Sequence, residues 1–133
     1  MAKRQELIFL AQKAAAQAYA PYSGHAVGAA VSFLHAANIY TGCNIENASY
    51  GLTICAERVA ICSGVRDGYY RIAQIAIAKL PATDLIYPCG ACLQFISEFS
   101  DAKTEIILAN NQVFKLDELL PRSFQINANY AIV

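Results

Sequence analysis

What this 133-residue chain lacks closes off several classes of function. No apolar run approaches the roughly 20 residues needed to cross a bilayer, because polar or charged residues interrupt every stretch, so no membrane association is expected. Neither sign of charge is in excess: Lys plus Arg number 10 and Asp plus Glu number 10. Without a basic surplus to neutralise phosphates, a nucleic-acid partner is disfavoured. The first residues lack the unbroken apolar core of a secretion signal, since Lys3 and Arg4 lead into a stretch broken by Glu6, Gln12 and Lys13. Internal repeats, low-complexity tracts and linkers are also missing, so one domain over residues 1–133 is expected.

What is present is apolar and rich in thiols. The hydrophobic share is 56% and the mean hydropathy +0.33, high for a small domain that exposes much of its surface, so part of that surface is expected to meet another subunit. Five cysteines in a chain without a secretion signal read as thiols of a reducing, cytoplasmic compartment, where metal binding or catalysis outweighs disulfide formation.

Hydrophobic periodicity orders the chain as follows. Residues 3–18 carry Leu7, Leu10, Ala11, Ala14 and Ala18 at helical spacing, and Pro21 to Gly24 end that helix. The apolar runs 26–34 and 38–43 predict paired strands. A second helix is expected over 55–66, stopped by Asp67-Gly68, and the Ile-rich stretch 72–78 suits a strand covered on both faces. Residues 90–99 predict a third helix, 104–109 and 112–114 two strands, and 117–120 a brief helix. Helices interleaved with strands argue for an α/β sandwich around a mostly buried sheet.

The strongest chemical signal is Pro88-Cys89-Gly90-Ala91-Cys92, a C-x-x-C where a loop enters a helix. Both sulfurs can converge there, and a helix N-terminus favours thiolates. Alone it is ambiguous between half of a zinc site, a redox dithiol and two unreacted cysteines. Cys55-Ala56-Glu57-Arg58 adds a third thiolate and a carboxylate at the start of another helix. Three protein ligands leave the fourth tetrahedral position of Zn2+ open, as catalytic sites do. Glu57 would then be the proton carrier, although an acid in a first helical turn also serves simply to stabilise its helix.

With these segments in view, the chain resembles the cytidine deaminases, specifically the short-chain homotetrameric type with a three-cysteine zinc site. The resemblance rests on Pro21-Tyr22-Ser23, Val27-Gly28-Ala29-Ala30, Gly42-Cys43-Asn44-Ile45-Glu46-Asn47-Ala48, Cys55-Ala56-Glu57-Arg58, Pro88-Cys89-Gly90-Ala91-Cys92 and Glu118-Leu119-Leu120-Pro121, in order across nearly the whole chain. It implies a three-layer α/β/α sandwich around a mixed five-stranded sheet. It implies zinc on Cys55, Cys89 and Cys92, and Glu57 as the catalytic acid and base in hydrolytic deamination of cytidine and 2'-deoxycytidine for pyrimidine salvage. By the same resemblance Asn44 and Glu46 bind the ribose, Ala56 and His25 line the substrate site, and Phe124 reaches a neighbouring subunit's pocket in a homotetramer. Without it, Asn44 reads as a turn residue and Phe124 as ordinary packing.

Charge bookkeeping singles out Arg58. Three thiolates outweigh the two charges of Zn2+, and Arg58 hydrogen-bonded to the sulfurs is expected to compensate. Three positions depart from the family pattern: His25 replaces a usual Phe, Leu93 a common Arg, and residues 34–38 lack an Asp-Gly hairpin. Leu93 leaves the balance to Arg58, and His25 is expected to admit bulkier 4-substituents on the pyrimidine. His35 is expected in a solvent-facing loop, and Cys43 and Cys62 as packed residues. The competing readings are a thiol oxidoreductase, a zinc-stabilised binding module whose fourth ligand would be Cys43 or Cys62, and a deaminase acting on a base in RNA or DNA.

Overall fold

The computed structural model describes residues 2–126. Its elements are α1 (Arg4–Ala15), β1 (Ala26–Phe33), β2 (Ile39–Cys43), a 3-10 turn (Tyr50–Leu52), α2 (Ala56–Arg66), β3 (Ile72–Leu80), α3 (Gly90–Glu98), β4 (Glu105–Leu108), β5 (Val113–Phe114) and α4 (Leu116–Leu119). The strands form one mixed sheet in the order β2-β1-β3-β4-β5, in which only β3 and β4 run parallel. That parallel pair is joined through α3, as a parallel connection requires.

Strand alternation sorts residue size between the two faces. One face carries Ala29, Val31, Phe33, Ile75, Ile77 and Ile106, packed with Ala60 and Ile61 of α2 and Leu93 and Ile96 of α3. The other carries Ala30, Ala76, Ala78 and Ile107, packed with Leu7, Ile8 and Ala11 of α1. The expected α/β/α sandwich is therefore present, with the central strands β1, β3 and β4 buried on both sides. Small side chains let α1 approach closely: a Cβ on Gly28 would lie 1.9 Å from the Ala11 carbonyl oxygen. Gly42 plays the same part for α2, where a Cβ would lie 2.5 Å from Ala60 N and 2.7 Å from Ala56 O.

Two details differ from the periodicity. The first helix ends at Ala15 rather than at 18, because the chain turns off to pair with another segment: Tyr19 N–H donates to Asn44 O at 3.0 Å, and Glu46 N–H to Tyr19 O at 2.8 Å. Cys62, expected in the core, is exposed. The buried stripe of α2 runs through Ala56, Glu57, Ala60, Ile61 and Gly64, and Cys62 lies off it. His35 is exposed, as expected, with φ 67°.

Sheet register brings distant residues to one edge. Cys43 at the end of β2 pairs with Gly28, and Gly28 pairs on its other side with Ala78 near the end of β3. Both strands thus finish at the edge where β1 begins, and α2 and α3 both start from that edge.

Candidate active site

Cys55 and Cys89 occupy the N-cap positions of α2 and α3, and Cys92 lies in the first turn of α3. The three sulfurs lie within 4.8 Å of one another. Tetrahedral zinc with Zn–S bonds of about 2.3 Å needs sulfurs about 3.8 Å apart, so only a small contraction separates this arrangement from a coordination shell. Among the described residues no fourth Cys, His, Asp or Glu joins the group. Cys43 instead sits 3.4 Å from the Gln17 carbonyl oxygen.

Electrostatics at the cluster favour a thiolate at Cys55. Cys55 is lowered to about 5, first because the Cys92 thiol donates to it, then through Arg58, and less through Cys89; burial opposes the shift. The Cys92 thiol is pushed up, since donating to Cys55 and burial both retain its proton. A bound cation would remove that asymmetry by holding both sulfurs deprotonated. Arg58 Nη2 lies 3.4 Å from Cys55 Sγ and 3.5 Å from the Thr53 carbonyl oxygen. Its Nε is buried without a hydrogen-bond partner, a cost that a net-negative metal–thiolate cluster beside the guanidinium would offset. Donor set, spacing, helix termini and the half-buried guanidinium of Arg58 all fit zinc.

Glu57 follows in the first turn of α2 and is only 4% exposed. Burial lifts its carboxyl above the ordinary carboxylate range, and the charge on Cys55 adds to the effect. The backbone N–H of Glu57 itself, and to a lesser extent the Cys92 thiol, oppose the shift. A buried carboxyl able to hold or release a proton thus stands beside three convergent sulfurs, the combination that acid–base catalysis at a metal requires.

Residues 44–46 reach this region through a short antiparallel bridge. Ile45 and Ile54 exchange both backbone hydrogen bonds at 2.9 Å, one residue before Cys55. Within this chain the Asn44 side chain braces the start of β1, accepting from Val27 N–H at 2.9 Å and donating to His25 O at 2.7 Å. Glu46 accepts from the backbone N–H groups of Tyr22 (3.0 Å) and Ser23 (3.1 Å) and from the Ser23 hydroxyl. The Ser23 hydroxyl is the main cause that holds the Glu46 carboxyl below its usual range. The sequence carries no sign of these bracing duties, because the partners lie some 20 residues away and meet only in the fold. His25 is exposed at the same sheet edge, its N–H donating to Ser23 Oγ at 3.0 Å. Ala56 is fully buried, with its methyl in the core. Phe124 is 70% exposed, and its backbone is tied to Gln94 of α3, a residue that no sequence motif marked.

The comparisons with known proteins agree with this geometry. Residues 1–108 match the family model of the cytidine and deoxycytidylate deaminase zinc-binding region. The chain is 41% identical over 128 residues to a cytidine deaminase of Halalkalibacterium halodurans, covering 91% of this chain and 93% of that protein. It is 40% identical over 122 residues to a probable cytidine deaminase of Dictyostelium discoideum, covering 90% and 82%. The crystal structure of cytidine deaminase from Mycobacterium tuberculosis superposes with a TM-score of 0.86 at 36% identity, over 95% of this chain and 100% of that one.

Proposed function

This chain belongs to the cytidine and deoxycytidylate deaminase family, and on that premise we propose that it hydrolyses cytidine and 2'-deoxycytidine to uridine and 2'-deoxyuridine with release of ammonia, in pyrimidine salvage. The observation that carries the reading is the meeting of Cys55, Cys89 and Cys92 beside the buried Glu57. Cys55, Cys89 and Cys92 are the zinc ligands. Bound there, zinc supplies Lewis-acid activation of water.

The chain's own residues do the rest. Glu57 takes a proton from the attacking water and gives it to the pyrimidine ring nitrogen next to C4. It then carries a second proton to the amino group, so that water adds at C4 and ammonia leaves. Its raised affinity for protons suits both directions of transfer. Arg58 offsets the surplus negative charge of three thiolates, so that the site does not lose its power to polarise water. Asn44 and Glu46 bind the ribose hydroxyls, His25 lines the pyrimidine side of the pocket, and the backbone at Ala56 faces the base.

A homotetramer completes the reading. Tyr19, Tyr22, Ile45, Tyr50, Leu52 and Ile54 are all exposed; Tyr19 and Ile54 both bridge to Ile45, and the Tyr22 and Tyr50 rings meet edge to face with centroids 6.2 Å apart. Ile54 directly precedes Cys55, so this apolar surface reaches the cluster. A second copy covering it would bring a foreign aromatic, Phe124, to the pocket mouth. No helix among the described residues is long and apolar enough to cross a membrane.

Release of ammonia from cytidine and 2'-deoxycytidine, and of the corresponding amine from 4-substituted cytidines, measured with and without a chelator, tests the proposal. Turnover of both nucleosides that stops on chelation and returns with zinc is expected. Failure to release ammonia from either, with zinc bound, would overturn it.

A further inference from the structure

We propose that Gln94 is a positioning residue that fixes Phe124 in the orientation from which its ring enters a second copy's active site. The inference rests on the reading of Phe124 just given. Gln94 Nε2 donates to Phe124 O at 2.9 Å, and Phe124 N–H donates to Gln94 Oε1 at 3.1 Å. The side-chain amide thus pairs with one residue's backbone as a neighbouring strand would, using one donor and one acceptor. Rotating the amide by 180° would set donor against donor and acceptor against acceptor, so both contacts depend on one orientation.

The clamp is mounted on a rigid support. Gln94 stands two residues after Cys92 on α3, between the buried Leu93 and the buried Ile96. Among the described residues no backbone–backbone hydrogen bond reaches the 121–126 segment, and the two bonds to Gln94 set its register. Beyond the clamp, residue Phe124 is 70% exposed and Ile126 83% exposed. An apolar ring held outward on a fixed backbone has already lost the freedom it would otherwise surrender on docking, which is the property of an interface anchor. Gln94 therefore links the helix that carries two metal ligands of one copy to the substrate pocket of another.

The test is a double-mutant cycle read in KM, kcat and zinc content on the full-length protein. Gln94→Ala keeps a strong helix former, so folding is not at stake. It should raise KM for cytidine about fivefold, the effect expected of losing roughly one net hydrogen bond's worth of positioning, with kcat within about twofold. Zinc content should not change. Gln94→Met, which keeps the length without the hydrogen bonds, should match Gln94→Ala. In a Phe124→Ala background Gln94→Ala should add nothing, and chymotrypsin should cut after Phe124 faster in Gln94→Ala than in the parent. An undiminished KM effect without Phe124, a parental KM in Gln94→Met, or an unchanged rate of cleavage overturns the proposal. If the parent protein turns over no cytidine, the functional reading falls separately, and the cleavage rates decide whether the clamp exists.

Discussion

Cys55 and Cys89 cap two different helices that begin 34 positions apart in sequence, yet their sulfurs lie within 4.8 Å of one another. The relationship is produced by the sheet: β2 and β3 flank β1 with registers that end both strands at the same edge, and each hands the chain on to a helix starting there. Gly42 lets α2 lie against the sheet, so a side chain at that position would push Cys55 away from the pair on α3.

Glu57→Gln separates proton transfer from metal binding. The amide keeps the size of the side chain and removes a carboxyl whose burial is costly, so fold and zinc content should be retained. Deamination should fall by about 10²–10⁴-fold, the usual contribution of a positioned acid–base group. Turnover within a fewfold of the parent, measured by loss of cytidine absorbance, would remove Glu57 from the mechanism.

Arg58→Ala should leave zinc bound and slow turnover by roughly tenfold to a hundredfold, the range typical when an outer partner of a metal ligand is removed. The cause is loss of the hydrogen bond to Cys55 and of the positive charge that counters the thiolates. Metal analysis alongside kcat checks both halves; equal turnover in the two proteins would show that the charge is compensated elsewhere.

His25→Phe should narrow the substrate range. The exposed imidazole stands at the sheet edge that carries the cluster, and a larger apolar ring there would crowd substituents on the 4-amino group. The ratio of kcat/KM for a 4-substituted cytidine to that for cytidine should drop in the variant. An identical ratio would end the idea that His25 widens the pocket.

Glu105 provides a pH-dependent element of stability distant from the chemistry. Its carboxylate accepts from Arg4 at 2.6 Å and from Gln74 at 3.0 Å, and the Arg4 hydrogen bond is the main cause that lowers its affinity for protons. A folded-state value below the unfolded 4.5 means that the contribution is present above pH 4.5 and disappears as pH falls through the lower, folded value. Glu105→Gln should therefore melt below the parent at neutral pH, with the gap in Tm closing under acid conditions. A gap independent of pH would show that the charge is not its source.

How much of this was legible without coordinates depended on whether the signal was local. Pro88 to Cys92 and Cys55 to Glu57 sit at helix starts, where capping and spacing announce themselves, so ligand and acid candidates could be named directly. The strands could be placed from their apolar runs, though pairing with residues 44–46 shortened the first helix in a way that no periodicity encodes. Cys62 misled because it lies seven residues from Cys55, a helical repeat, whereas Cys55 is a cap and the buried stripe is set by Ala56, Ala60 and Ile61. The bracing roles of Asn44 and Glu46 and the clamp by Gln94 were hidden for a common reason: their partners, mostly backbone groups together with the Ser23 hydroxyl, are brought close only by the completed fold.

X-ray absorption at the zinc edge of the purified protein tests the central claim most directly. Three sulfur neighbours at about 2.3 Å and one oxygen or nitrogen neighbour are predicted, the signature of a site held by three thiolates with a position left for solvent or substrate. Four sulfur neighbours, or fewer than three, would contradict the account, because either the vacancy for chemistry or the cluster that creates it would be missing.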